Sequence, residues 1–277
     1  MTGLARRPGP TVRTRVTEHV GDEVRHHEDR LATEEPLEVR LVWPGAPARR
    51  VWVTMRTPGH DFELAAGWVR HEGLLSPGAG LSGVAYCTDA DLTREQELNV
   101  VTVALDAPPA REPGQRHDGL SAGSSACGVC GADSVADALS VTADAPWTGA
   151  LPPPDVVRRL PDRLRESQRV FDRTGGVHAA GLATAEGELL VVREDVGRHN
   201  AVDKVTGARL LAGASPAEAC LVVSGRAGFE LVQKAVSAGV GSLVAVGAPT
   251  SLSARLAAEH GLALWGFVRG QRAVRYC

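Results

Sequence analysis

The stretch ACLVVSGRAG, residues 219–228, sets the pattern that decides the fold. An apolar run ends at Ser224 in a glycine-rich turn, and a helix-like run follows from Phe229 to Ala238. The same order of apolar run, glycine turn and amphipathic run recurs downstream, with strands predicted at Ser242 to Val246 and Leu262 to Val268 and a helix at Ser251 to His260. Apolar strands that alternate with amphipathic helices predict a parallel sheet covered on both faces. We expect its ligands at the loops beyond the carboxyl ends of the strands.

Upstream of this stretch, the pattern predicts two strands and two helices: strands at Val177–Thr184 and Glu188–Arg193, and helices at Val156–Phe171 and Ala201–Leu211. The amino-terminal half alternates apolar and charged residues in shorter units, which is typical of a small α+β domain with strands and one helix, Phe62–Glu72. The sequence therefore predicts an α/β protein. Its expected parts are a disordered tail (1–12), a small α+β domain (13–110), a linker (111–123) and an α/β domain (124–277).

The loops after the predicted strands carry residues suited to an anion. Ser224, Gly225 and Arg226 combine a glycine turn with a cation at the start of a helix, which suits phosphate. Arg269 and Arg272 place two guanidinium groups after the last strand. Three further candidates are His178 between small residues, and Arg198 and His199 in the polar run 193–204. A solvated turn, capped by Asp195 or Asn200, is the structural alternative for that run.

Two thiols, Cys127 and Cys130, stand three positions apart in SSACGVCG, residues 124–131. A zinc site would need two more ligands, and the other cysteines, Cys87, Cys220 and Cys277, are scattered singly. Three readings stay open from the residues alone: a redox pair, a nucleophilic thiolate that carries a sulfur atom, and a buried pair without chemistry.

Composition narrows the class of protein. The formal net charge of −3 gives no case for binding nucleic acid or a membrane surface. No apolar run reaches the length of a membrane-spanning helix, and the first ten residues show no secretory signal. Five cysteines in 277 residues do not make a disulfide scaffold. We expect a cytoplasmic protein.

Five motifs in this order resemble the FdhD family, also called FdhD/NarQ, whose members are accessory sulfurtransferases needed for formate dehydrogenase activity. The motifs are SACGVCG (125–131), TGGVHAA (174–180), REDVGRHNAVDK (193–204), SGRAGFE (224–230), and GAPTS (247–251) with FVRG (267–270). The match covers most of residues 30–277.

The resemblance implies an enzyme that takes persulfide sulfur from a cysteine desulfurase and passes it to the molybdenum cofactor. That cofactor, molybdenum bound to two molybdopterin guanine dinucleotides, then enters formate dehydrogenase. By the family pattern Cys127 carries the persulfide and Cys130 is the second thiol of the pair. The resemblance also implies a homodimer and a carboxy-terminal part similar in fold to cytidine deaminases.

The segment that matches the family's cofactor-binding stretch comprises Phe267, Val268, Arg269, Gly270, Gln271 and Arg272. Together with the anion-suited residues Ser224, Gly225, Arg226, His178, Arg198 and His199, it forms the expected cofactor site, which nucleotides resembling GDP would also occupy. No metal ligand is expected.

Two other classes of protein compete with this one. A zinc deaminase would need H-x-E followed by P-C-x-x-C, but Ala180 stands where the Glu should be and the C-x-x-C comes earlier in the chain. A non-catalytic chaperone that binds the cofactor and hands it on is the second. The sequence names neither the desulfurase nor the formate dehydrogenase, and it leaves the role of Cys130 and of residues 1–30 open.

Overall fold

The structure is a computed structural model that describes residues 9–76, 78–93, 96–113 and 145–277. In these residues it contains a two-stranded ribbon, a four-stranded sheet and a six-stranded sheet. The strands are β1 (Thr11–Val20), β2 (Glu23–Ala32), β3 (Glu35–Trp43), β4 (Ala46–Arg56), β5 (Leu81–Tyr86), β6 (Val100–Leu105), β7 (His178–Ala183), β8 (Leu189–Asp195), β9 (Cys220–Val223), β10 (Ser242–Ala245), β11 (Ala263–Arg269) and β12 (Arg272–Arg275). The helices are α1 (Asp61–His71), α2 (Pro154–Glu166), α3 (Arg169–Thr174), α4 (Arg198–Leu211), α5 (Phe229–Ala238) and α6 (Ser251–Glu259).

The small sheet has the order β4-β3-β6-β5 and packs one face on α1. Leu37, Val39 and Leu41 alternate along β3 and are fully buried, because successive side chains of a strand point to opposite faces. Trp52 on β4 stacks on Trp68 of α1 with ring centroids 4.9 Å apart. The predicted α+β arrangement of this half is confirmed.

The large sheet has the order β12-β11-β10-β9-β7-β8 and is mixed, which corrects the expectation of a wholly parallel sheet. Only β9, β10 and β11 run parallel, while β7, β8 and β12 are added antiparallel. β8 follows β7 through a short turn and β12 follows β11 through another, and such turns join antiparallel neighbours. β12 had no counterpart in the prediction.

Helices cover both faces of the large sheet, as predicted. Side chains of α4, α5 and α6 pack on the face that carries Leu221 and Val223. Helix α2 packs on the opposite face, against Val222 and Val244. Because neighbouring strand residues are buried on opposite sides, β9 reads as a continuous apolar run.

The single helix predicted at Val156–Phe171 is two helices. α2 ends at Glu166, and α3 begins at Arg169. The Glu194 carboxylate accepts the backbone N–H groups of Val170 and Phe171 at 2.9 and 2.8 Å, so a side chain from β8 caps the start of α3. The apolar periodicity continues from α2 into α3, so the sequence pattern could not locate the break between the two helices.

The two halves of the chain meet where α1 crosses α4. A Cβ atom on Gly67 would overlap the carbonyl oxygen of Asp203, and one on Gly207 would overlap that of Glu63. The helix backbones can approach this closely only because both residues are glycine. The division into domains at 13–110 and 124–277 stays a prediction, as does the likeness to cytidine deaminases.

The ribbon of β1 and β2 pairs residues 11–20 with 23–32 in one antiparallel register. β1 begins at Thr11, so the predicted disordered tail, residues 1–12, extended too far; residues 1–8 lie outside the described part. The strand was missed because its β-branched residues alternate with charges on both faces, and Val12, Val20, Val24 and Leu31 are about half exposed. No helix in the described residues is long and apolar enough to cross a membrane.

Candidate functional site

The residues predicted to bind a ligand converge at one edge of the large sheet. β9, β10 and β11 are parallel, so their carboxyl ends lie at the same edge. β7 is antiparallel to β9, and this register brings its first residue, His178, to that edge as well. β8 ends opposite His178, since Asp195 is its partner in the ladder. The expectation of a site beyond the strand ends therefore agrees with the topology.

His178 and Ser224 contact each other at the centre of this edge. The His178 Nδ1 atom is 3.4 Å from Ser224 Oγ, which also accepts the backbone N–H of Ala179 at 2.9 Å. Burial lowers the pKa of His178, and the nearby positive groups of Arg198 and His199 lower it further. The imidazole is therefore held in its neutral form at physiological pH.

Gly225 lies between His178 and Arg198. A Cβ atom at Gly225 would stand 3.6 Å from His178 Nδ1 and 3.7 Å from Arg198 Cδ, so both side chains line the same place. Arg198 Nε is buried and has no hydrogen-bond partner among the described residues. A buried donor without a partner costs free energy, and an acceptor from a ligand would satisfy it.

The contacts continue from Gly225 along the sheet edge through Gly247. The Gly247 N–H donates to Gly225 O at 2.9 Å, and Gly247 O accepts the N–H of Phe267 at 3.0 Å. A Cβ on Gly247 would lie 2.9 Å from Arg226 Cγ and 3.0 Å from its Cα, so a larger residue would displace Arg226. Gly247 was not among the predicted site residues. The signal for it in the sequence was a glycine directly after the second apolar strand.

Phe267 has a left-handed backbone, with φ of 51°, inside β11. The register of β11 with β12 shifts between Gly266 and Arg269, which marks a bulge. The Arg272 guanidinium lies over the Phe267 ring, 4.8 Å from its centroid. A left-handed conformation is unfavourable for a bulky side chain, and residues held in such conformations often occur at functional sites.

The segment 267–272 divides into one buried residue and several exposed ones. The side chain of Val268 is fully buried in the core beside Val244, so it supports the segment and offers no side-chain surface to a ligand. Arg269, Gly270, Gln271 and Arg272 are exposed. Arg226 is exposed on the neighbouring loop. The edge therefore presents three accessible guanidinium groups in addition to Arg198.

Much of the polar run 193–204 is structural. Lys204 Nζ lies 2.6 Å from Asp195 Oδ2 and donates to Thr57 O at 2.9 Å, with both charged groups buried. Asn200 donates to Asp195 and to Met55 O. These bonds fix the loop before α4 against the end of β4. These residues are therefore structural, but the predicted form of that role, a solvated turn capped by Asp195 or Asn200, is wrong. Asp195 and Asn200 are buried, and α4 begins after Gly197 without a side-chain cap.

His199 faces α5 instead of the centre of the edge. Its Nε2 atom is 2.9 Å from the Glu230 carboxylate, and both side chains are mostly buried. This pair joins the starts of α4 and α5, on which the site loops converge. Glu230 was not among the predicted site residues, although it belongs to the motif 224–230.

Cys127 and Cys130 lie outside the described residues. Of the cysteines within them, Cys220 is fully buried, and burial raises its pKa to about 12, so it is unreactive. No group of three or more His, Cys, Asp or Glu residues in the described ranges is arranged to hold a metal ion. The sheet edge can bind an anion through the guanidinium groups of Arg198, Arg226, Arg269 and Arg272, with Phe267 as an aromatic surface beside them.

Comparison with known proteins gives consistent results. The FdhD/NarQ family profile matches residues 32–277. The sulfur carrier protein FdhD of Streptomyces avermitilis is 50% identical over 248 residues, which cover 87% of this chain and 85% of that protein. The protein of the same name from Mycobacterium tuberculosis is 44% identical over 269 residues, 94% of each chain.

A crystal structure of a candidate formate dehydrogenase accessory protein from Desulfotalea psychrophila superimposes with a TM-score of 0.73. It covers 96% of this chain and 97% of the other, at 22% sequence identity, and therefore shows that the two share a fold. The profile match over most of the chain, together with identities of 44–50% to curated relatives, shows kinship beyond the fold. This chain belongs to the FdhD/NarQ family.

Proposed function

We propose that this chain is a sulfur carrier that supports formate dehydrogenase activity. The observation that carries the proposal is its 50% identity, over most of its length, to a relative named a sulfur carrier protein. The Cys127–Cys130 pair provides the thiols that sulfur transfer needs. We further propose that the chain delivers this sulfur to a nucleotide-bearing cofactor, and the anion-suited sheet edge supports that step.

Sulfur loading would proceed by thiolate exchange. The Cys127 thiolate attacks the outer sulfur of a cysteine desulfurase persulfide, the S–S bond of that persulfide breaks, and the desulfurase cysteine leaves as a thiolate. The product is a persulfide on Cys127. The protein is an enzyme in this sense, a sulfurtransferase with a covalent intermediate. Cys130 is the second thiol of the pair.

The molybdenum cofactor with its two guanine dinucleotides is the proposed cargo. Its pyrophosphates are acceptors only, and they match the donors of Arg226, Arg269, Arg272 and Arg198. A Cβ at Gly228 would meet nothing within 4 Å, so the loop after β9 leaves open space at the start of α5. The residues present therefore fit a phosphorylated ligand. A nucleotide such as GDP would occupy the same place.

The proposed partners are a cysteine desulfurase, a formate dehydrogenase and a second copy of the chain in a homodimer. The proposed compartment is the cytoplasm. The alternative function is a non-catalytic chaperone that binds the cofactor without carrying sulfur. Both functions would use the sheet edge to bind the cofactor. Only the sulfur carrier needs a reactive cysteine, so an experiment on the cysteine pair distinguishes the two functions.

Intact-protein mass spectrometry without reductant tests the sulfur-carrier function. The protein is incubated with a cysteine desulfurase and free cysteine, and Cys127→Ala is treated in parallel. We expect a gain of one or more sulfur atoms that reductant reverses and that Cys127→Ala lacks. Cys220→Ala is the matched control, because that thiol is buried and unreactive, and it should load like the wild type.

Equal mass gain in wild type and Cys127→Ala would move the persulfide to another thiol. No gain in either protein, with formate dehydrogenase activity retained by Cys127→Ala in cells, would favour the chaperone.

A further inference from the structure

Two side chains beside Gly225, those of His178 and Arg198, each have a hydrogen-bond donor without an acceptor among the described residues. Arg198 Nε is buried without a partner. The only hydrogen-bond contact of the His178 ring within the described residues is the one from Nδ1 to Ser224, so Nε2 is free there. Both side chains lie about 4 Å or less from the place where a Cβ of Gly225 would stand. The two side chains therefore border a common space.

The hydrogen-bond contacts of Ser224 favour one tautomer of His178. Its Oγ accepts the N–H of Ala179 at 2.9 Å, and its own hydroxyl hydrogen then needs an acceptor. His178 Nδ1 is the acceptor within reach. A neutral imidazole that accepts at Nδ1 holds its proton on Nε2.

We propose that His178 and Arg198 form a phosphate-binding subsite beside Gly225, and that Ser224 is the positioning residue that keeps the His178 proton on Nε2. The inference rests on the proposed function in one respect, which is that the ligand carries a nucleotide phosphate. The subsite takes a phosphate oxygen as the acceptor for Nε2–H and for the Arg198 guanidinium.

The charged groups around His178 set how the subsite responds to pH. Arg198 and His199, from the start of α4, oppose a second proton on the ring, and Asp195, at the end of β8, favours it. The remaining neighbours on the site loops are Arg226, which is exposed, and Glu230, which pairs with His199. A bound phosphate adds negative charge, favours the imidazolium and strengthens binding as the pH falls.

The test is the affinity for GDP at pH 8 and pH 6, measured by calorimetry on the full chain and its variants. The affinity of each variant is divided by the wild-type affinity at the same pH, so that the effect of GDP ionisation cancels. At pH 8 we expect Ser224→Ala to bind roughly fivefold more weakly, the equivalent of one hydrogen bond of about 1 kcal/mol. At pH 6 this deficit should shrink, because the bound phosphate favours the imidazolium, which carries a proton on both nitrogens and needs no tautomer to be selected.

The other variants should show different pH profiles. Ser224→Thr keeps the hydroxyl and should restore most of the affinity at pH 8. For His178→Ala the deficit should grow from pH 8 to pH 6, since the variant lacks the group that becomes charged. His27→Gln removes a histidine from the exposed ribbon, away from the site, and it should match wild type at both pH values.

Three results would overturn the subsite. A Ser224→Ala deficit equal at both pH values would make the serine merely structural. Wild-type affinity in His178→Ala would remove the histidine from the subsite, while persulfide loading on Cys127 would leave the sulfur-carrier function standing. No GDP binding by the wild type would end both the subsite and the nucleotide part of the proposed function.

Discussion

Val268 and Arg269 are neighbours in the sequence, but only Arg269 can meet a ligand through its side chain. Val268 is packed in the core beside Val244, and the strand directs the next residue to the surface. The bulge at Gly266–Arg269 and the left-handed Phe267 then turn the segment toward the loop that carries Gly247. At the scale of the residue, burial decides which side chains stay exposed at the sheet edge and can contact a ligand.

Arg269→Ala is expected to weaken GDP binding without changing persulfide loading on Cys127. The exposed guanidinium would contribute one charge-assisted contact to phosphate, so the loss should be about tenfold, or ~1.4 kcal/mol. Calorimetry measures the affinity, and intact mass measures the loading.

Arg255→Ala is the control for this change, because it removes the same charge from an exposed position on α6, where Arg255 pairs with Glu259. It should bind GDP like the wild type. Unchanged affinity in Arg269→Ala would remove Arg269 from the site.

At the scale of the elements, the crossing of α1 and α4 holds the small sheet against the large one. The crossing depends on Gly67 and Gly207, and it is reinforced where Arg193 Nη2 of β8 donates to Glu63 Oε1 of α1 at 2.8 Å. Burial disfavours the charge of Glu63, but hydrogen bonds from Arg193 and His60 outweigh it and lower its pKa to about 2. Glu63 therefore remains ionised and paired at neutral pH.

Gly67→Ala is expected to destabilise the protein by about 3 kcal/mol, because the added methyl group would overlap the Asp203 backbone and force the helices apart. Urea unfolding measures the change.

Gly83→Ala is the matched control, since Gly83 lies in β5 with nothing within 4 Å of the added Cβ. Gly83→Ala should lower the free energy of unfolding much less than Gly67→Ala does. Equal stability of Gly67→Ala and the wild type would show that the helices do not cross through these glycines.

At the scale of the whole molecule, a buried cluster of polar side chains joins α1, α4 and α5. His71 Nδ1 lies 2.5 Å from Asp203 Oδ1, Lys234 Nζ lies 2.7 Å from the same oxygen, and His71 Nε2 contacts Thr206. Burial lowers the pKa of His71, and the positive charges of Lys234 and Arg70 lower it too, against the opposing effect of Asp203. Burial disfavours the charge of Asp203, but the charge of Lys234 and the hydrogen bond from His71 outweigh it and keep the pKa of Asp203 low.

Stability should therefore fall below about pH 6.5, the ordinary pKa of histidine. The unfolded chain binds a proton at His71 that the folded chain resists, so folding loses about 1 kcal/mol between pH 8 and pH 5.5 from this group. Urea unfolding at the two pH values checks this.

In His71→Gln the loss between the two pH values should be smaller by that amount, because the variant has no imidazole to protonate. An equal pH dependence in both proteins would contradict the assignment of His71 as the group responsible.

Local patterns were enough to predict the strands and helices that bury an apolar face. α5 was predicted with its observed bounds, because apolar side chains recur at helical spacing and Gly239 ends the helix in a left-handed cap. The ribbon of β1 and β2 was missed, since it buries no continuous apolar face. The break between α2 and α3 was also missed, because the Glu194 carboxylate that caps α3 is distant in the sequence.

The sequence by itself determined the family, through motifs that include Cys127 and Cys130. It also predicted that ligand residues lie in the loops beyond the strand ends. Only the tertiary structure decided which of those residues meet, because strand order and direction cannot be read from periodicity. The antiparallel pairing of β7 with β9 brings His178 to Ser224, and the packing of α4 sets Arg198 beside Gly225. The same packing buries Asp195 and Lys204 as a structural pair, since a charge taken out of water is retained only with a partner.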